Sequence, residues 1–144
     1  MTTVEEKILS LDSFEPSGQE VEDATALEEL LSGLPGSPGS AAAAPAIFAP
    51  MERHPEAEFG SPGPLVHVLE AMGGYGDPLR ASLRRRPAPL SLWMVNRLLD
   101  AALPDDARDG WLAALDAAAV HPLASDVVRQ QALDHLARQA SRAP

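Results

Sequence analysis

His67 and Glu70 are the residues whose types and spacing come closest to those of a metal or acid–base site. They stand three positions apart, so on a helix both side chains would project from one face, as ligands do in helical carboxylate metalloproteins. A metal site needs further ligands, and the other histidines, His54, His121 and His135, show no complementary spacing. The spacing therefore favours a surface or interhelical hydrogen-bonding pair over a metal site.

Catalysis is poorly supported by the residue pattern. Acid–base chemistry by His67 and Glu70 would require a third, orienting group and a pocket around them. The segment GGYG, residues 73–76, follows no predicted strand and lacks the Gly-Lys-Ser ending of a phosphate-binding loop, so it predicts a turn. The chain contains no cysteine, which excludes thiolate nucleophiles, disulfides and cysteine-bound zinc. We therefore expect no enzymatic activity, no cofactor and no bound metal.

Acidic side chains concentrate in and around the segment ERHPEAEFGSPG, residues 52–63, directly before the helix that carries Glu70. Loops held by a rigid scaffold collect binding residues, so these acids are candidates for contact with a partner. An ordinary solvated loop is the alternative. The candidate contact residues, called the acidic surface below, are Glu52, Glu56, Glu58, His67, Glu70 and Asp77.

Positive charge is concentrated at Arg80 and in the arginine run 84–86. Phosphate binding is one interpretation, with Tyr75 or Trp93 stacking on a base. However, no aromatic residue alternates with the arginines, and the C-terminal end of a helix attracts cations through its dipole. Pairing with acidic helices of the same chain explains the arginines at least as well.

The charge balance of the chain also argues against phosphate binding. Residues 1–47 hold nine acids and one base, whereas residues 48–144 hold twelve acids and ten arginines, for a net charge of −10. An acidic protein is a poor candidate for binding nucleic acid, because that binding depends on neutralising phosphates. The balance favours a basic protein partner, with solubility alone as the alternative.

Nothing in the sequence predicts a membrane span or a secretory leader. The first ten residues carry acids where a leader would carry bases, and no apolar run approaches the ~18 residues that a transmembrane helix requires. Together with the lack of cysteine, this pattern predicts a protein of the reducing cytoplasm.

Every element that the apolar spacing predicts is a helix. Leu65, Val68, Leu69 and Met72, for example, recur at i, i+3, i+4 and i+7, which is a helical stripe. Prolines and capping residues mark the breaks; the predicted caps include Thr2 or Thr3, Ser61, Asp77 and Ser91. We expect an all-α fold of seven or eight short helices in stacked antiparallel pairs, resembling HEAT repeats or another α-solenoid. Because no strict repeat is visible, a compact irregular bundle is the alternative.

One domain is expected from a chain of 144 residues. It would contain an acidic helix pair at 1–34, a flexible Gly/Pro/Ala-rich loop at 35–46 and a helical core at 47–144. The second helix would expose its acids, and the last one, predicted from Ser125 to about Gln139, would bury five apolar residues. These are Val128, Ala132, Leu133, Leu136 and Ala140.

The helix predicted from Ser91 to Leu103 is apolar over most of its circumference. A narrow stripe of Trp93, Asn96, Arg97 and Asp100 interrupts it. Arg97 and Asp100 can pair at i, i+3, and Asn96 can bond a neighbouring helix end. The stripe is therefore predicted to be structural and to set how helices cross.

The segment PEAEFGSPGPLVHVLEAM, then Tyr75, PLRASL and LSLWMVNRLLD, resembles small all-helical immunity proteins of bacterial polymorphic toxin systems. The resemblance covers about residues 47–103. In that family an acidic residue before the first of these helices, a tryptophan and an Arg-Ile-Leu-Asn-like ending recur. Matching positions are held by Glu58, His67, Glu70, Trp93 and Arg97, whereas Asp100 stands where asparagine is usual.

The resemblance implies a protein that binds a cognate toxin domain, such as a basic nuclease, and blocks its active site without turnover. A HEAT-like adaptor with an unrelated protein partner is the second hypothesis, and the content of the neighbouring genes would separate the two. A helical metalloenzyme using His67 and Glu70 is the third and least favoured hypothesis.

Overall fold

The computed structural model describes residues 3–60 and 62–142. Over these residues the chain forms eight α-helices and one 3-10 helix and contains no strand, which confirms the predicted all-α class. None of these helices has the length and apolar character needed to cross a membrane. The α-helices are α1 Val4–Asp12, α2 Glu20–Leu31, α3 Ala44–Arg53, α4 Pro64–Met72, α5 Gly76–Arg85, α6 Pro89–Asp100, α7 Asp105–Ala119 and α8 Asp126–Arg142, and the 3-10 helix is Ser40–Ala43.

The helices divide into two compact units, residues 1–79 and 80–144, and the division falls within α5. The two units differ in charge. The N-terminal unit carries fourteen acids and two bases, a net charge of −12, whereas the C-terminal unit carries seven acids and nine arginines, a net charge of +2. The acidic excess of the protein is therefore a property of the N-terminal unit.

In the N-terminal unit α1 packs against α3, α2 packs against α4, and α3 also contacts α4. The predicted faces of α2 are confirmed in part, since Leu27 and Leu31 are buried while Glu28 and Glu29 are exposed. Asp23, however, is an acid of α2 that is buried, where its Oδ1 accepts a hydrogen bond from the Ser17 amide at 2.8 Å. The 3-10 helix of the segment 35–46 packs against α1 and α3 with Ala43 fully buried, because small side chains fit close to the backbone of these helices. The mobility expected for this segment stays a prediction.

Several helices begin where their capping chemistry predicts. The Thr3 hydroxyl caps α1 by accepting a hydrogen bond from the Glu6 amide at 3.1 Å. Thr2, the alternative cap, and Ser61, the predicted cap of α4, lie outside the described residues. Asp77 was predicted to cap α5, but α5 begins at Gly76, so Asp77 lies in its first turn, where an acid suits the helix dipole.

Ser91 was also predicted to be a cap, and this prediction is wrong. α6 begins at Pro89, because the fixed backbone angle of proline suits the first turn of a helix. Ser91 is fully buried in that turn, where its hydroxyl accepts a hydrogen bond from the Ala88 amide at 3.0 Å and donates one to the Ala88 carbonyl at 2.9 Å. The helix ends at Asp100 and not at Leu103.

Cations from neighbouring helices cap the C-terminal ends of α1 and α2. Lys7 of α1 is 8% exposed, and its Nζ donates to the Leu30 carbonyl at 3.0 Å and to the Ser32 carbonyl at 2.5 Å. Arg53 of α3 donates from Nη2 to the Leu11 carbonyl at 2.9 Å. The last carbonyls of a helix lack intrahelical partners and carry partial negative charge, so both cations stabilise the helix ends that they contact.

Replacing Lys7 by methionine should lower the free energy of unfolding by about 1.5–3 kcal/mol, the usual range for hydrogen bonds to a charged group. Methionine fills similar space but leaves two carbonyls without a donor. Urea unfolding measures this, with Ser10→Met, an exposed position of α1, as the matched control. Because Lys7 is the only lysine, its acylation rate in the native and the unfolded protein gives a second measurement. Equal stability of the two variants would show that the lysine bonds contribute nothing.

In the C-terminal unit α7 and α8 pack along each other, and α6 contacts both. Val128 and Ala132 of α8 are buried as predicted. Leu133, however, is 48% exposed and Ala140 is exposed, so the predicted burial of these two residues is wrong. The fully buried residue near the end of α8 is Gln139.

Gln139 is buried because its amide is satisfied by polar groups of α6 and α7. Its Nε2 donates to the Oδ1 atoms of Asn96 and Asp100, both at 2.9 Å. Arg108 of α7 donates to the Gln139 Oε1 at 3.4 Å. Asp100 also accepts from Arg138 of α8 at 2.8 Å. A buried amide costs little when it is hydrogen-bonded, and here it joins α8 to the polar stripe of α6.

The hydrogen bond from Arg138 lowers the pKa of Asp100 below its ordinary value of 3.8. The bond from Gln139 and the charges of Arg138 and Arg142 act in the same direction, whereas partial desolvation opposes them. A carboxylate whose pKa is lower in the folded state stabilises the fold above the unfolded pKa, and this contribution is lost as the pH falls through the folded pKa.

Wild-type protein should therefore lose its stability advantage over Asp100→Asn as the pH falls below 3.8, the ordinary pKa of the carboxyl. Urea unfolding over a pH series measures the difference between the two proteins. Asp116→Asn, which removes an exposed carboxylate of α7, serves as the control and should differ little from wild type throughout. A difference between wild type and Asp100→Asn that did not change with pH would contradict the assignment.

Candidate protein-interaction surface

The acidic surface lies entirely in the N-terminal unit, on α3, the connection 54–63, α4 and the first turn of α5. Glu56, Glu58, His67 and Asp77 are exposed, whereas Glu52 and Glu70 are half-buried. Because α3 contacts α4, the end of α3, the connection and α4 occupy neighbouring positions. The residues that also take part in polar interactions within the chain are Glu52, Glu70 and Asp77.

His67 lies on an exposed face of α4, whereas the residues on either side of it are buried. Leu65, Val68 and Leu69 are buried as their spacing predicts, and Val66 is buried as well, so the apolar arc is wider than the predicted stripe. A helix packed over so much of its circumference has little freedom to rotate. α4 therefore holds His67 at a fixed place on the surface.

The connection that carries Glu56 and Glu58 is anchored at its C-terminal end. Phe59 is only 2% exposed, and its ring centroid lies 6.4 Å from that of Phe14. Gly63 has a φ of 89°, and a Cβ atom there would lie 2.0 Å from the carbonyl oxygen of Phe59. Only glycine fits such a close backbone approach. The two glutamates therefore precede a folded turn with a buried aromatic anchor.

A turn orders the N-terminal end of the connection. The His54 Nε2 lies 3.1 Å from the Glu15 Oε2, in the segment that follows α1, but the two atoms do not form a hydrogen bond. The Ala57 amide donates to the His54 carbonyl at 3.0 Å, which closes a turn. This contact was not predicted from the sequence, because His54 and Glu15 stand 39 residues apart in the chain. Ordered ends reduce the entropy lost when Glu56 and Glu58 meet a partner.

The remaining histidines, His121 and His135, belong to the C-terminal unit. His121 Nε2 lies 2.7 Å from the Arg84 carbonyl, and its Nδ1 accepts a hydrogen bond from the Leu123 amide at 3.0 Å. A carbonyl only accepts, so the ring donates from Nε2. Partial burial lowers the pKa of His135, and the charge of Arg138 lowers it further, whereas nearby aspartates raise it. Across residues 3–60 and 62–142, no three histidine or carboxylate side chains are grouped to hold a metal ion.

The arginine cluster lies at the end of α5. The guanidinium of Arg80 lies 4.1 Å from the ring centroid of Trp111, a cation–π contact within the C-terminal unit. Arg84 and Arg85 are exposed, and Arg86 is half-buried. In the predicted stripe of α6, the Arg97 guanidinium likewise lies 5.4 Å from the ring of Trp93.

The N-terminal unit exposes many acidic side chains to solvent. Its exposed acids include Glu22, Glu28 and Glu29 of α2 as well as Glu56 and Glu58. Exposed charges of one sign on an ordered scaffold attract a partner of the opposite sign over roughly one Debye length, about 8 Å at physiological salt.

A comparison with known proteins found no family model, no curated protein and no solved structure that matches this chain.

Proposed function

We propose that the protein neutralises a basic partner domain by binding it, as do the bacterial toxin immunity proteins that residues 47–103 resemble. The observation that carries the proposal is the division of charge. The N-terminal unit has a net charge of −12, and Glu56 and Glu58 are exposed on a connection anchored at both ends. A basic nuclease is the target that this charge suits best, because a nuclease must be positive where it holds phosphate.

The mechanism would be occlusion of the nuclease in the cytoplasm, with no chemical step and no cofactor. Complementary charge speeds the first encounter between two proteins and rejects partners of the wrong sign. The affinity would then depend on residues that become fully desolvated at the centre of the interface. Because Glu56 and Glu58 are exposed charges, we propose that they speed the first encounter with the partner.

The packing of the N-terminal unit supports the HEAT-like arrangement as part of this proposal. α1 packs against α3 and α2 packs against α4, so each helix contacts its counterpart in the next pair. Stacked helix pairs in α-solenoids make the same contacts, and they build extended surfaces for protein binding. The same packing also suits the second candidate, an adaptor whose partner is not a toxin.

Co-expression of the protein with the product of the adjacent gene tests the proposal. We expect the two products to co-purify, and the neighbouring product to be toxic when it is expressed alone. The protein should restore growth without acting on the product covalently, as intact mass measurement of both chains would show. A neighbouring product that is harmless and does not bind would remove the immunity hypothesis and leave the adaptor.

A further inference from the structure

A groove runs between α5 and α7 within the C-terminal unit, with a volume of about 560 Å³. Its floor is one face of α7, where small residues recur at intervals of three and four. Side chains from α5 form the opposite wall. The lining residues used below are Arg80, Leu83, Arg84, Gly110, Ala113 and Ala117.

The floor of the groove leaves room for close approach. Gly110, Ala113 and Ala117 are exposed, although they lie in the middle and second half of a long helix that buries Trp111 and Leu115 on its other side. Small side chains let another helix approach the backbone of α7 more closely than larger ones would. The lining therefore suits an inserted apolar side chain such as leucine.

Two arginines stand at the edge of this floor in ordered positions. Arg80 lies over the Trp111 ring at 4.1 Å, and this cation–π contact helps to hold its guanidinium in place. Arg84 is exposed, and its backbone is held through the hydrogen bond between its carbonyl and the His121 Nε2 at 2.7 Å. Arg84 is thus an exposed cation beside an apolar floor.

Two exposed apolar residues lie close in sequence to His121, which lines the groove. Val120 is 79% exposed, and Leu123 is 58% exposed. Exposed apolar residues beside charged groups are common at protein interaction sites.

We propose that this groove binds an amphipathic helix of a protein partner that carries acidic residues beside its apolar face. The occupant follows from charge complementarity, because the C-terminal unit has nine arginines against seven acids and two of the arginines line the groove. In the proposed function, the acidic surface of the N-terminal unit binds a basic domain. An acidic helix is a different class of partner, and the proposal for the groove is argued only from residues of the C-terminal unit.

The test uses the full chain and a fluorescein-labelled peptide of about eighteen residues, long enough to be helical alone. The peptide carries leucines at i, i+3, i+4 and i+7 with flanking glutamates, and a control peptide has glutamine in place of each glutamate, because a basic control would be attracted to the acidic N-terminal unit. Fluorescence anisotropy should show tighter binding of the acidic peptide. Arg84→Glu should weaken it about tenfold, a change expected when a charge-assisted contact is reversed.

Two matched variants locate the site. Arg85→Glu makes the same charge change at an exposed residue outside the groove lining, and it should weaken binding less than Arg84→Glu does. Ala113→Tyr fills the groove and should abolish binding, whereas Ala137→Tyr, at an exposed alanine of α8, should not. Thermal melts confirm that each variant is folded.

Three results would overturn the proposal. Equal affinity for the acidic and neutral peptides would remove the assigned partner chemistry. Equal losses in Arg84→Glu and Arg85→Glu would indicate net charge in place of a site. Self-association in sedimentation equilibrium that Ala113→Tyr abolishes would assign the groove to a second copy of this chain.

Discussion

Replacing Leu99 by alanine is expected to lower the free energy of unfolding by about 2–5 kcal/mol. Leu99 is 1% exposed on α6, which contacts both α7 and α8, so the lost side chain leaves a cavity at the junction of three helices. Domains of ordinary size are stable by only about 5–15 kcal/mol, and the variant therefore approaches the limit of folding. Urea unfolding followed by circular dichroism measures the loss.

Leu9→Ala is the matched control for this experiment. It makes the same chemical change at a leucine of α1 that is 68% exposed, and a change within about 0.5 kcal/mol is expected there. Trp93→Ala should lower the free energy of unfolding by less than the loss of a fully buried tryptophan would. Trp93 is only half-buried, and its ring also contacts Arg97. Similar losses in Leu99→Ala and Leu9→Ala would show that α6 is not central to its unit.

Reversing the charges of Glu56 and Glu58 is expected to slow association with the basic partner by about tenfold or more, and to weaken its dependence on salt. Folding should change little, since exposed charges contribute at most about 1 kcal/mol to stability. Glu56→Lys with Glu58→Lys removes the pair, and Glu70→Lys is made separately because Glu70 is half-buried and interacts within the chain. Under the proposed immunity function, cells that express the toxin together with this variant should lose protection.

The matched control reverses Glu28 and Glu29, two exposed acids of α2 in the same unit. It makes the same change in net charge at a different place, so stopped-flow association rates at two ionic strengths separate position from overall charge. A larger loss in the Glu56 and Glu58 variant assigns the contact to the anchored connection. The opposite order would move the contact to α2, and equal protection by all variants would rule out charge steering.

The apolar spacing of the sequence determined which segments are helical and many of the residues that they bury, although Leu133 and Ala140 of α8 are exposed against that prediction. Leu65, Val68 and Leu69 lie in the core because residues at i, i+3 and i+4 share one face of any α-helix, whatever lies opposite. Capping is almost as local, and Thr3 could be named as the cap of α1 for that reason. Where two capping signals compete, local reasoning fails, as at Ser91, where Pro89 begins the helix first.

The candidate surface was predicted only as a set of residues. The sequence indicated that Glu56 and Glu58 lie in a connection between helices, because proline and glycine surround them. It did not indicate that Phe59 and His54 anchor that connection. Phe14 and Glu15, their partners, lie about forty residues earlier in the chain, and no local pattern brings such residues together.

The sequence by itself therefore determined the all-α class and the helices, because these depend on neighbours within a few turns. It also determined the excess of acidic charge, which depends on composition alone. Only the tertiary structure decided that Lys7 and Gln139 are buried. Each is a polar residue that normally faces water, and each is buried because donors or acceptors 23 to 43 residues away satisfy it. The cost of burying a polar group depends on its partner, and the partner is fixed only when the helices pack.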